Sequence, residues 1–266
     1  MVGPILAKVK FRGTIRERSV EPYLRILRFV REKSKFRGLL LDISSGGGED
    51  IASTDLYLAV KRVSKVKPVV AAVGAIAASG AYMAALGAHR IYAYEESEVG
   101  SIGVIMPHFA AQRLLEKIGV EVELLHHGRH KDAYQGLRSL TPEEREKLLK
   151  VGEVSYNSFV DVVARERRRP REEILKLATG EFWSGKQALA MGLIDALGDR
   201  EKALEDLAHS AGVPAKRTVE LSPPKPFFER LAGGPVASLG FGLSQGIRTS
   251  VQDAIEDVLL YGRRYR

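Results

Sequence analysis

Residues 75–82, AIAASGAY, set a single hydroxyl, Ser79, among alanines and glycines. A serine oxygen becomes a nucleophile when a base takes its proton and backbone N–H groups hold the oxyanion that forms. Gly80 follows directly, and a helix beginning there leaves its N–H without an intrahelical partner. The arrangement is like a nucleophile elbow in principle, although ASGAY does not match the G-x-S-x-G pattern. Small residues around a serine also serve close packing alone, so Ser79 by itself leaves both readings open. A second turn, SSGGG at residues 44–48, lacks the lysine and Ser/Thr of a phosphate loop and the spacing of a dinucleotide motif. Its glycines would let the N–H of Gly47 or Gly48 approach a ligand atom closely.

The base could be histidine or lysine. There are six histidines, His89, His108, His126, His127, His130 and His209. His126 and His130 are four apart, but Gly128 lies between them in a strand-and-turn pattern, so a metal pair on a helix is not expected, and no metal site is assigned. A Ser-His-Asp triad stays open, because its members meet only in space. The other candidate is Lys131 in HGRHKDAY, after a stretch expected to be a buried strand. Lysine acts as a base only when neutral, and burial favours that form. A lone lysine is otherwise an ordinary solvated charge.

Elements that could position these residues alternate through the first two-thirds of the chain. ILAKVKFRGTI alternates as a strand does, and EPYLRILRFVREK has helical spacing. GLLLDIS and PVVAAV read as strands buried on both faces, with the helix IASTDLYLAVKRVS between them. Gly74 marks the expected end of the second. IYAYEE and VEVELLHH read as further strands around the helix AAQRLLEKIG. Repeated βα units imply a mostly parallel sheet with helices packed around it, and site residues collect at the carboxyl ends of such strands. Later, TPEE at Thr141 carries an N-cap, a proline and Glu144, and opens a helix expected to reach about Arg168, with a restart at Pro170. SGKQALAMG repeats the cap logic at Ser184 and Gln187. The proline- and glycine-rich stretch 213–246 suits an arm, and SVQDAIEDVLLYG closes the chain as an amphipathic helix. The expected division is therefore residues 1–212 as the domain and 213–266 as arm and helix.

Composition narrows the classes. The chain has 266 residues, enough for a substantial core, and no cysteine, which excludes disulfides, thiolate metal sites and a cysteine nucleophile. Residues 69–88 carry no charge and are long enough to span a bilayer, but alanine and glycine dominate, so buried soluble structure is expected and no transmembrane segment. The N-terminus has no signal-peptide pattern. The net charge is +8, with clusters at Arg165–Arg171 and in the terminal RRYR. Solvated helix ends account for these; contact with anionic lipid headgroups is the functional alternative. Without stacking aromatics in the first cluster, nucleic acid is not expected as a partner.

The motifs resemble those of the signal peptide peptidase A family, serine proteases with a Ser–Lys dyad on the Clp protease/crotonase fold, an α/β architecture of repeated ββα or βα units with a helical C-terminal part. The resemblance runs from about Gly38 to Ala211, through LLLDISSGGGED, KPVVAAVGAIAASGAYMAA, SEVGSIGVI, HGRHKDAY, LTPEERE and FWSGKQALAMGLIDALGD. It implies Ser79 as nucleophile, Lys131 as general base, Ser101 as a hydroxyl that helps hold the lysine, and the N–H groups of Gly80 and of Gly47 or Gly48 as oxyanion donors. It implies no cofactor. It further implies peptide substrates such as remnant signal peptides, a ring-shaped homo-oligomer with sites shared between neighbours, and membrane association. Three positions depart from the family pattern: Gly46 replaces a proline, which should loosen the turn; Ala81 replaces a glycine, with little effect expected; and His130 replaces a tyrosine beside Lys131. The family's usual N-terminal membrane anchor has no counterpart here. A crotonase-like CoA-ester enzyme and a non-catalytic scaffold of the same fold are the alternatives.

Overall fold

A computed structural model describes residues 3–223. Its frame is a sheet whose main path runs β6-β5-β3-β2-β1-β8: β1 is Ile5–Arg12, β2 Phe36–Ser45, β3 Val69–Ala78, β5 Glu98–Gly100, β6 Phe182–Ser184 and β8 Thr218–Leu221. A short branch, β4 (Arg90–Ala93) and β7 (Ala196–Leu197), also pairs with β3. Every pairing is parallel except β5 with β6. The mostly parallel sheet expected from the βα alternation is therefore present.

Residues of β2 alternate between two apolar layers, which is why its run is continuous. Leu39, Leu41 and Ile43 join the larger core beneath α1 (Glu17–Glu32), α2 (Asp50–Ser64), α3 (Gly80–Ala85) and α5 (Pro142–Arg167). Leu40 joins the smaller one under α8 (Arg200–Ala211). On α2 the buried residues Ala52, Leu56, Tyr57, Val60 and Val63 follow helical spacing and form one face. The expected caps are built: Thr141 and Glu144 form a capping box at α5, as do Ser184 and Gln187 at α7 (Gly185–Ala190). Arg168 ends α5 in a left-handed conformation, and α6 (Arg171–Leu177) restarts after Pro170.

Three expectations need correction. First, β3 does not stop at Gly74 but runs to Ala78. It has two successive partners along one edge, β4 at Val70–Ala72 and β5 at Ile76–Ala78, so its ladder continues past the glycine. Second, VEVELLHH is not a strand. Only α4 (Gln112–Lys117) is regular between Ser101 and Thr141, and Val120, Val122 and Leu124 lie 44%, 45% and 39% exposed. A strand needs a partner for its N–H and C=O groups, and among the described residues no sheet strand pairs with the segment. Third, the compact unit continues beyond residue 212. β8 pairs with β1, and the unit extends to Pro223. Most of the expected arm and the whole terminal helix lie outside the described residues. Residues 69–88, which could be mistaken for a membrane span, form β3, α3 and the buried turns around them. Among the described residues no helix is long and apolar enough to cross a membrane.

Candidate active site

The longer β3 delivers Ser79 directly from the end of a buried strand into the first turn of α3. Ser79 has φ 52° and ψ −127°, a conformation that costs a serine roughly 1–3 kcal/mol and persists only where its surroundings impose it. They do so from both sides: the Ser79 N–H donates to the Gly100 carbonyl at 2.8 Å, and its carbonyl accepts from the Met83 N–H at 3.0 Å. All six residues of α3 are buried, and the Tyr82 hydroxyl donates to the Leu193 carbonyl at 2.7 Å. The turn is thus fixed against the core while Ser79 itself stays half-buried.

The glycine turn after β2 packs against this elbow. A Cβ on Gly47 (φ +96°) would lie 2.8 Å from the Ser79 Cβ and 2.9 Å from the Gly80 nitrogen. On its other side the turn is bridged to Ile15, whose N–H donates to the Gly47 carbonyl and whose carbonyl accepts from Glu49, both at 2.8 Å. A Cβ on Gly48 would meet that Ile15 carbonyl oxygen at 1.9 Å. Glycine is needed here because backbone passes between backbone. The Gly46 substitution does not leave the turn loose, since the next residues are held by Ile15.

The expected oxyanion donors separate by their bonding. The Gly47 N–H already donates to the Ser45 hydroxyl at 3.1 Å. Among the described residues, the N–H groups of Gly48 and Gly80 have no partner. Both glycines line a cavity of about 740 Å³ that also contains Ser79 and Ser101. Ser101 (φ 48°) is held by its N–H on the Glu181 carbonyl at 2.7 Å. Met83, Val104, Ile105, Tyr156 and Phe159 supply the apolar part of the wall.

Lys131 is not brought to this cavity. It is exposed, sits in a turn with its N–H on the Gly128 carbonyl at 3.0 Å, and its side chain has no partner among the described residues. The buried strand expected to precede it is absent. Its loop is nevertheless fastened to the start of α5. Arg138 donates to Asp132 at 2.7 Å and to both oxygens of Glu144 at 2.8 Å. Glu144 is buried, and Arg138 together with the Thr141 N–H holds its carboxyl far below the usual range. His130, where the family pattern has tyrosine, accepts from Lys147 at 2.7 Å and faces Glu144 at 3.4 Å.

Other sequence features resolve differently. Among the described residues no cluster of three or more His, Asp or Glu is placed to hold a metal. The basic run 165–171 is largely taken up within the chain: Arg165 and Glu166 bond Tyr57, Arg167 forks onto Asp195, Arg169 pairs with Glu173 and Arg171 with Asp161. The cavity residues that sequence reasoning missed include Glu49, Asp50, Ser53, Met83, Ser155, Tyr156, Phe159 and Thr179. Those on α2 were signalled by their closeness to the glycine turn, whereas those on α5 reach the site only through helix packing.

A strained serine at a strand-to-helix turn, beside two unpartnered backbone donors, is the arrangement a serine hydrolase would use. Comparison with known proteins gives the family. The chain matches peptidase family S49 over residues 61–214 and belongs to it. A relative from Synechocystis is 37% identical over 231 residues, covering 86% of this chain and 83% of its own. The chloroplast serine protease SPPA of Arabidopsis thaliana is 34% identical over 202 residues, covering 76% of this chain and 30% of its own length. Protease 4 of Salmonella typhi is 33% identical over 187 residues, covering 70% and 30%. Among solved structures, a membrane-bound stomatin-specific protease shares the fold, with a TM-score of 0.53 at 15% identity over 84% of this chain and all of that one. The protein is thus a serine peptidase on the Clp protease-like fold that its motifs implied.

Proposed function

We propose that the chain is an endopeptidase in which Ser79 is the nucleophile and Lys131 the general base, and that it degrades membrane-derived peptides such as remnant signal peptides. The observation that carries the reading is the elbow itself: Ser79 at φ 52°, flanked by the free N–H groups of Gly48 and Gly80 at one cavity. The Ser79 oxygen attacks the scissile carbonyl carbon as its proton passes to the Lys131 amine. The carbonyl oxygen, now negative, accepts from Gly48 and Gly80. The intermediate collapses with the C–N bond breaking, Lys131 returning the proton to the leaving amine, and water then releases the acyl group from Ser79 by the same route. Gly47 supplies close approach and not a donor. Ser101 holds the incoming lysine. The apolar wall accepts the apolar side chains that membrane-derived peptides carry.

Lys131 comes from a second copy of the chain. Its exposed position outside the Ser79 cavity supports this, as do the exposed Phe109, Leu114, Ile118 and Leu125 on the segment leading to it. Exposed apolar side chains of this kind are what an oligomer covers. The test is cleavage of a panel of unstructured peptides by wild type, Ser79→Ala and Lys131→Ala. Loss of turnover in both variants is expected. Wild-type activity in Ser79→Ala would overturn the assignment.

A further inference from the structure

The charge on the cavity wall is opposite to that of the protein. The chain carries 41 Lys and Arg against 33 Asp and Glu. Yet the residues lining the Ser79 cavity include no Lys, Arg or His, and the charged ones are Glu49 and Asp50. Both are exposed, and among the described residues neither has a cationic partner. Each has a local bond that fixes where its carboxylate sits: Glu49 accepts from the Glu17 N–H at 2.8 Å, and Asp50 accepts from the Ser155 hydroxyl across the cavity on α5. They follow Gly48 directly in sequence, so the negative charge borders one of the oxyanion donors.

We infer that Glu49 and Asp50 select substrates carrying a lysine or arginine near the scissile bond, so that the preferred peptide joins an apolar side chain, for the Met83–Phe159 wall, to a basic one. This rests on the proposed role of Ser79. Helix-terminal acids are favourable at the start of α2 whatever binds there, but that accounts for their stability and not for the lack of any cation among this chain's own wall residues, where the one proposed to arrive is the base Lys131 of the neighbouring copy. A peptide lying in the cavity brings its own charges within a few ångströms of both carboxylates. An interaction of this kind at a wet surface is modest per pair and screened by salt. Two carboxylates that attract lysine and repel glutamate should together give a preference of about fivefold or more at low ionic strength.

The experiment compares kcat/KM for one apolar peptide with Lys, Gln or Glu scanned through four positions on each side of the cleaved bond. Wild type should prefer Lys over Glu by about fivefold or more at one or more positions, and the ratio should fall as salt is added. Glu49→Gln and Asp50→Asn keep the acceptor oxygens for Glu17 and Ser155, so both should fold, which circular dichroism checks. In the double variant the ratio should fall towards one. A wild-type ratio near one at every position overturns the inference, as does an unchanged ratio in the double variant. Equal loss of turnover on all three peptides with the ratio retained also overturns it, because the carboxylates would then meet a neighbouring subunit and not the substrate. Cleavage that persists in Ser79→Ala would instead refute the nucleophile assignment, whatever the ratio.

Discussion

Gly80 should not tolerate even a methyl group. An ideal Cβ there would lie 1.9 Å from the Ser53 hydroxyl oxygen and 2.5 Å from its Cβ, with the next atom, Ile15 Cδ1, at 3.6 Å. Backbone conformation is not the obstacle, since Gly80 has no positive φ and opens a helix. Rotating the hydroxyl does not help, because the Ser53 Cβ contact remains and the hydroxyl gives up its 2.7 Å bond to the Glu49 carbonyl. α3 and α2 must therefore part by an appreciable fraction of an ångström. Overpacking of this kind costs about 1–3 kcal/mol, or a fall in Tm of roughly 2–12 °C for a domain of this size. The same shift moves the Gly80 N–H away from the position proposed for the oxyanion, and loss of one such donor typically lowers kcat by about 10²–10³. Ser53→Gly removes both close contacts, so Ser53→Gly/Gly80→Ala should recover part of the stability and turnover lost in Gly80→Ala. The assay is a double-mutant cycle in Tm and in kcat on one fluorogenic peptide. Wild-type Tm and kcat in Gly80→Ala, or a double variant no better than the sum of the singles, would refute the reasoning.

Further outcomes follow from other positions. Gly46→Ala should raise Tm by about 1–4 °C, because Gly46 has no positive φ, a Cβ there meets nothing within 4 Å, and alanine restricts the unfolded chain; a lower Tm in a thermal melt contradicts this. Arg167 is 12% exposed in its side chain, forks onto Asp195 and also bonds the carbonyls of Gly192 and Ile194. Arg167→Ala should cost about 3 kcal/mol in urea unfolding, and Arg167→Lys should recover little because it lacks the fork. Burial would raise the Asp42 carboxyl, but hydrogen bonds from Arg200 and Arg12 outweigh it and hold the group below its ordinary value of 3.8. Its contribution to stability is therefore complete above about pH 4 and lost as pH falls through the lower folded value. Asp42→Asn should lower stability at pH 7 and flatten the acid limb, and an unchanged acid limb contradicts the assignment.

Much of the fold was legible because β1, β2 and α2 obey one period each and their burial follows it. The caps at Thr141 and Ser184 were legible because capping is a local event. The end of β3 was misread at Gly74 because the glycine signals a local break, whereas β5, pairing from more than twenty residues away, keeps the strand extended. The VEVELLHH stretch alternates as a strand does, but pattern alone does not supply the partner edge that makes one. Ser79, Gly47, Gly48 and Gly80 could be read as a group since each borders a turn at a strand end, whereas Ser101 entered only through the family resemblance, and the structure places all five around the same elbow and cavity. The separate duties of Gly47 and Gly48 depend on the Ser45 hydroxyl and could not be read from sequence. The α5 contribution to the cavity, through Ser155, Tyr156 and Phe159, arises from helix packing and leaves no local signal.

Catalysis as proposed requires Ser79 of one chain to meet Lys131 of another. Ser79→Ala and Lys131→Ala proteins, each inactive alone, should regain peptide cleavage when mixed, because some mixed interfaces unite an intact Ser79 with an intact Lys131. With subunit exchange verified by mass spectrometry, restored turnover is the predicted result, and no recovery at any mixing ratio would contradict it.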